Sequence, residues 1–272
     1  MSIQTPRTKK VTALELQKMK KRGEKITFLT SYDYTMAKIV DNAGIDAILV
    51  GDTASNVMAG NDTTLPITLD NMIYHAKSVV NAVENAMVVS DIPFGSYQGD
   101  PLQALHAAVR IMKESGANAV KVEGGEEIKE SIQKILTAGI PVVGHLGLTP
   151  QSIFKFGTFS VQAKKEEEAK LLLKNAKLLE ELGCFAVVLE AIPADLAKEV
   201  SEALTIPTIG IGAGPDTDGQ VLVIHDMLGM TPNFKPKYLR KYAEVGQIMD
   251  NAIKNYISDV KEKAFPSYDE SY

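Results

Sequence analysis

The chain lacks the features that would place it outside the ordinary globular class. It has a single cysteine, Cys184, in 272 residues. One thiol cannot close an internal disulfide, so nothing in the fold depends on an oxidising compartment. No apolar run approaches the ~20 residues a membrane helix needs, and the polar stretch from Met1 to Lys10 has no apolar segment of the secretory kind. No basic block or stripe appears, and the formal net charge is −5. That removes the electrostatic case for nucleic acid or an anionic membrane surface as a partner. Neither an internal repeat nor a break in composition marks a second domain. Residues 1–272 are therefore expected to form a single domain, in the cytoplasm, with an arm over residues 1–10 and helices at the C-terminal end. Apolar content of 45% is ordinary for a packed core.

What the sequence does contain is a series of short apolar runs, most stopping at an acid or a histidine. Runs of this kind read as parallel strands buried on both faces. They are expected over residues 26–30, 45–50, 87–91, 119–123, 140–144, 185–189, 206–211 and 221–224. Helical spacing fills most of the intervals, and Asp100-Pro101 is a strong helix start, with the cap at Asp100 and proline in the first turn. Only the interval between the last two strands is too short for a full helix. Eight strands alternating with helices predict an α/β fold, a closed (βα)8 TIM barrel, whose usual length of about 250 residues suits this chain. An open doubly wound sheet is the lesser alternative. The tail from Phe265 is expected to be without order.

Barrels of this type place their chemistry at the carboxyl ends of the strands. The residues expected there are Asp33, Asp52, Asp91, Glu123, His145, Glu190 and His225, with Lys121 two positions before Glu123 and so on the same face. Strands lie about 4.8 Å apart, so Asp52, Asp91 and Glu123, at the ends of three successive strands, can converge. Carboxylates crowded together repel unless a positive charge lies among them. A hard divalent cation answers this, and an all-oxygen site completed by water suits magnesium, whereas no His or Cys spacing supports zinc. The plainer reading makes these acids helix caps or partners of Lys121. Glu190 follows an apolar strand, and apolar neighbours would raise its pKa toward that of a useful general base; the plainer reading is a loop acid in water. Lys121 could hold an anionic substrate or neutralise the acids, and His145 could hydrogen-bond a substrate. The turn Gly212-Ala213-Gly214 has the look of a backbone-amide anion site, on weak evidence.

Several longer motifs carry a resemblance. Leu49-Val50-Gly51-Asp52, Thr63-Thr64-Leu65-Pro66, Lys121-Val122-Glu123-Gly124-Gly125 and the run from Gly144 to Gln151 resemble the ketopantoate hydroxymethyltransferase family. So do Val188-Leu189-Glu190, the run from Ile206 to Gly214, and His225-Asp226. The resemblance spans residues 10–262. It implies a (βα)8 barrel of the phosphoenolpyruvate/pyruvate superfamily that moves a one-carbon unit from 5,10-methylenetetrahydrofolate to 3-methyl-2-oxobutanoate. It also implies Mg2+ at Asp52, Asp91 and Glu123, substrate contacts at Asp52, Thr53, Asp91, Lys121 and His145, and Glu190 as catalytic base. A homodecamer is implied too. Thr53 departs from the serine usual in the family but keeps the hydroxyl. A magnesium-dependent lyase acting on a 2-oxo acid is the competing enzyme reading, and a non-catalytic barrel the third.

Overall fold

The computed structural model describes residues 10–272; the arm expected over residues 1–10 lies outside the described residues apart from Lys10. The chain forms two compact units, the first ending at Leu222 and the second being Val223–Tyr272.

The first unit is a closed barrel of eight parallel strands taken in sequence order. They are β1 (Ile26–Thr30), β2 (Ala47–Val50), β3 (Met87–Asp91), β4 (Ala119–Glu123), β5 (Val142–Gly147), β6 (Ala186–Glu190), β7 (Thr208–Ile211) and β8 (Gly219–Leu222). β2, β3 and β4 are buried along their whole length. One face of each meets the barrel interior and the other meets helices, which is why their sequences are apolar without alternation. Inside the barrel, residues such as Met87 and Val89 of β3, Ala119 of β4, and Ala186 and Val188 of β6 form one cluster, closed at the base by Leu16 and Met19 of helix Ala13–Lys21.

Strand geometry then dictates the mouth. Side chains alternate faces, so a step of two from the inward residues of β3, β4 and β6 reaches Asp91, Lys121 then Glu123, and Glu190. Register aligns them: Asp91 lies opposite Lys121, Glu123 opposite His145, and Gly147 opposite Glu190. Apolar packing at the base therefore gives way to charge at the mouth along the same strand faces.

Several boundaries differ from expectation. β5 begins and ends later than residues 140–144, so His145 lies within the strand. β8 runs from Gly219 to Leu222, because its pairing with β1 starts at Ile26 opposite Gly219. A Cβ at Gly219 would sit 2.4 Å from the Ile26 carbonyl oxygen, so only glycine allows this approach. His225 and Asp226 consequently do not end a strand; they belong to the helical turn Ile224–Met227 of the second unit. Asp33 lies beyond the carboxyl end of β1, as expected, but its carboxylate is committed to the next helix. It caps helix Tyr34–Asn42, accepting from Met36 N at 2.9 Å. The helix announced by Asp100-Pro101 is Pro101–Ser115, with Asp100 accepting from Leu102 N and Gly116 ending it at φ +80. The link between β7 and β8 carries no helix, as its length required.

The second unit contains that turn, helix Val245–Lys261 and a 3-10 turn, Tyr268–Glu270. The tail expected to be without order thus carries a local fold, in which Ser267 N donates to Glu270 Oε2 at 2.8 Å. Among the described residues, no helix is long and apolar enough to cross a membrane.

Candidate functional site

Five charged or ionisable side chains meet at the mouth with almost no access to solvent: Asp52, Asp91, Lys121, Glu123 and His145 are 2–6% exposed. Four come from inward strand positions. Asp52 comes from the turn after β2, where its own N–H donates to Asp91 Oδ2 at 2.9 Å. Gly51 makes room for this, since a Cβ there would meet Thr53 Oγ1 at 2.9 Å and Asp91 Oδ2 at 3.6 Å.

Lys121 lies between the acids, its Nζ 3.0 Å from Asp91 Oδ1 and 3.7 Å from Glu123 Oε1. His145 bridges the site sideways. Its Nδ1 is 3.3 Å from Glu123 Oε1 and from Lys121 Nζ, and its Nε2 is 3.3 Å from Glu190 Oε2. The Glu190 side chain is 18% exposed and is the open member of the group. The acids, the lysine and the histidine that the sequence placed together are together; the Asp33 carboxylate is engaged instead at the start of helix Tyr34–Asn42.

Three acids face one lysine, and the ionisation equilibria show the imbalance. Burial, with Asp91 and Glu123 close by, pushes the Asp52 carboxyl well up, against the pull of Lys121 and Gln151. Burial also raises Asp91, although Lys121 and the Asp52 N–H offset much of it. At Glu123 burial is outweighed by His145, Lys121 and the Gln151 N–H, so its carboxyl is lowered. Burial and Lys121 oppose charge on His145, but the close carboxylates of Glu123 and Glu190 win and lift the imidazole to about 9. Lys121 is held charged despite burial by Asp91, Glu123 and Asp52.

Among the described residues, no three His, Cys, Asp or Glu side chains are already gathered as a ligand set; the lysine ammonium stands among the oxygens instead. The donor chemistry nonetheless fits a hard cation. Every candidate is a carboxylate oxygen, and Asp91 Oδ1 and Glu123 Oε1 are buried with no hydrogen-bond donor aligned on them.

Thr53 keeps its hydroxyl engaged, 2.7 Å from Tyr32 Oη. Tyr32 was not singled out from the sequence, nor were Tyr97 and Gln151. Gln151 Nε2 donates to Asp52 Oδ2 at 2.8 Å, and Tyr97 Oη donates to Gln151 Oε1 at 2.7 Å. Gln151 does stand inside one of the quoted motifs, and that was the available signal. The glycine turn after β7 has a backbone explanation: Gly212 and Gly214 have φ of +63 and +81, and a Cβ at Gly214 would meet that of Ala194 at 2.5 Å. Cys184 precedes β6, at the opposite end of that strand from Glu190, and is 1% exposed. It is no nucleophile for the mouth.

Comparison with known proteins decides the family. The family model described as ketopantoate hydroxymethyltransferase matches residues 10–268. The chain belongs to the ketopantoate hydroxymethyltransferase family. Within that family, the 3-methyl-2-oxobutanoate hydroxymethyltransferase of Christiangramia forsetii is 64% identical over 272 residues, covering 100% of both chains. That of Flavobacterium johnsoniae is 66% identical over 264 residues, 97% of each chain. Solved structures share the barrel. Phosphonopyruvate hydrolase in complex with oxalate and magnesium superposes with a TM-score of 0.62 at 12% identity, over 96% of this chain and 93% of that one. A 2,3-dimethylmalate lyase, a member of the PEP mutase/isocitrate lyase superfamily, gives 0.61 at 17%, over 98% and 92%. These two establish the fold. The family match stands against the lyase reading.

Proposed function

We propose that the protein transfers a hydroxymethyl group from 5,10-methylenetetrahydrofolate to 3-methyl-2-oxobutanoate, yielding ketopantoate for pantothenate synthesis in the cytoplasm. The observation that carries the mechanism is the contrast within the mouth: four sealed acidic or basic groups, their histidine, and one open carboxylate, Glu190, linked to them through His145. End-to-end identity to relatives named for this reaction supports the substrates.

In this reading Asp52, Asp91 and Glu123 would hold magnesium, and the chemistry it would supply there is Lewis-acid polarisation of the substrate's keto group. Glu190 removes the proton from the carbon beside that keto group. His145, lying between Glu123 and Glu190, holds the Glu190 carboxylate in place. Lys121 keeps the mouth attractive to an anionic 2-oxo acid, and the Thr53 hydroxyl, positioned by Tyr32, contacts it. The enolate carbon then attacks the one-carbon unit of the folate, and water completes the hydroxymethyl group as tetrahydrofolate leaves. Charge that develops in the transition state is met by fixed groups that are themselves shielded from solvent.

Purified protein incubated with magnesium, 5,10-methylenetetrahydrofolate and 3-methyl-2-oxobutanoate is expected to form ketopantoate. Glu190→Gln should lose about 10²–10⁴-fold in kcat, the span of a general base. No product from wild type, or full activity in that variant, removes the reading. Assembly as a homodecamer is part of it. The apolar residues Ile248, Met249, Ile253, Tyr256 and Ile257, at helical spacing on Val245–Lys261, support a contact between subunits. Light scattering at assay concentration would refute it by a monomer mass.

A further inference from the structure

Each of the three sealed carboxylates has one oxygen tied to a fixed N–H. Asp91 Oδ2 accepts from Asp52 N at 2.9 Å, Asp52 Oδ2 from Gln151 Nε2 at 2.8 Å, and Glu123 Oε2 from Gln151 N at 2.9 Å. Of the other oxygens, Asp91 Oδ1 and Glu123 Oε1 face the centre, where Lys121 Nζ lies 3.0 and 3.7 Å away with no hydrogen-bond donor aligned on either. Two of the three ties come from a single residue.

Gln151 is 5% exposed and lies in the 3-10 turn Pro150–Ser152 that follows β5. Its amide is fully used. Oε1 accepts from Tyr97 Oη at 2.7 Å and Gln98 Nε2 at 2.9 Å, and Nε2 donates to the Ile92 carbonyl at 3.0 Å as well as to Asp52. A carbonyl can only accept, so the Ile92 contact settles which end of the amide faces Asp52. Tyr97 is anchored in turn: its hydroxyl accepts from Glu123 N at 2.9 Å, and its carbonyl accepts from Ser131 Oγ at 2.7 Å. The position needs a neutral group that both donates and accepts. A carboxylate here would set a fourth acid against Asp52, and a side chain one methylene shorter could not span Tyr97 and Asp52.

We infer that Gln151 is a positioning residue that aims Asp52 and Glu123 together at the cation, with Tyr97 holding its amide in the donating orientation. This rests on the proposed function only in taking those acids as the cation's holders. Through Gln151, the turn after β5 sets the direction of carboxylates on β4 and after β2. Outer partners that orient metal ligands change affinity by about 10–100-fold when removed.

The test is Gln151→Met, which keeps the length and the backbone N–H but removes the donor to Asp52. Magnesium alone, titrated calorimetrically into wild type and variant, should bind the variant about 10–100-fold more weakly. In the assay the KM for magnesium should rise and kcat fall, while the KM for the folate stays within about twofold. A folded variant whose magnesium affinity stays within about twofold of wild type, whatever its melting temperature, overturns the inference. Should Gln151→Met fail to fold, Tyr97→Phe removes the hydroxyl that orients the amide. It should weaken magnesium binding in the same direction by a smaller factor, and unchanged binding there also overturns the inference. If wild type makes no ketopantoate, the functional reading fails, while the calorimetric contrast still judges Gln151.

Discussion

At the base of the barrel, Asp46 precedes β2 and accepts from Thr27 N and Thr27 Oγ1 at 2.7 Å each. Asp218 precedes β8 and repeats the device, accepting from Thr208 N at 2.8 Å and Thr208 Oγ1 at 2.9 Å, with Lys20 Nζ 2.9 Å away. Asp41 accepts from the backbone of Glu84, Asn85 and Ala86, where the chain enters β3. At the mouth, Asp52, Asp91 and Glu123 are buried as deeply as Asp41 and Asp46, yet Asp91 Oδ1 and Glu123 Oε1 have no hydrogen-bond donor aligned on them and both face Lys121. The same residue type is buried at both ends with opposite bookkeeping. Where fixed N–H and O–H groups satisfy a carboxylate, it locks one strand to the next. Where they do not, the carboxylate stays under-satisfied, at a cost in stability.

Substitutions should separate the two ends. The largest effect is expected from Asp52→Asn. It removes one of three mutually repelling acids, so turnover and magnesium dependence should fall together, by about 10²–10³-fold in kcat. The melting temperature should hold or rise, because the amide still accepts from Gln151 and no longer repels Asp91. An unchanged magnesium titration would take Asp52 out of the metal site, and a large fall in melting temperature would erase the contrast between the ends.

Asp46→Ala should do the reverse. Thr27 would lose the acceptor for two donors in a part-buried site, which costs about 1–3 kcal/mol. Denaturant unfolding should report that loss while kcat/KM stays within about twofold of wild type. A catalytic defect larger than the stability defect would show that the base and the mouth are coupled.

The smallest effect concerns Cys184, also at the base. Burial pushes its thiol up to about 12, so almost no thiolate exists near pH 8. Native protein treated with iodoacetamide at that pH should keep full activity and stay unlabelled, with alkylation following unfolding. Rapid labelling of the active protein would contradict the packing at the start of β6.

The strand series, its closure into a barrel and the acids at the mouth were legible in the sequence, because each follows from a local rule. Apolar runs bounded by polar residues mark strands buried on both faces, and alternation carries an inward residue such as Val89 to Asp91 and Ala119 to Lys121 and Glu123. The cap at Asp100 was legible for the same reason, since its signal lies within one helical turn. The use of Asp33 was not legible, because a helix cap and a free acid after a strand look alike until Met36 N is seen to bond it. The eighth strand was displaced because its start is set by pairing with β1, a partner far away in the chain.

Sequence by itself determined which chemistry is available: carboxylates, one lysine and one histidine on inward strand positions, with Glu190 across the mouth. Only the tertiary structure decided how each group is used. Tyr97, in a loop, and Gln151, in a single 3-10 turn, have no periodicity to betray them; they are 54 residues apart and meet only when β3 and β5 take their places in the barrel. Whether a buried acid is a staple or a reactive group depends on which donors reach its second oxygen, and those donors come from other strands and loops. That is a property of closure, which no local stretch of this chain contains.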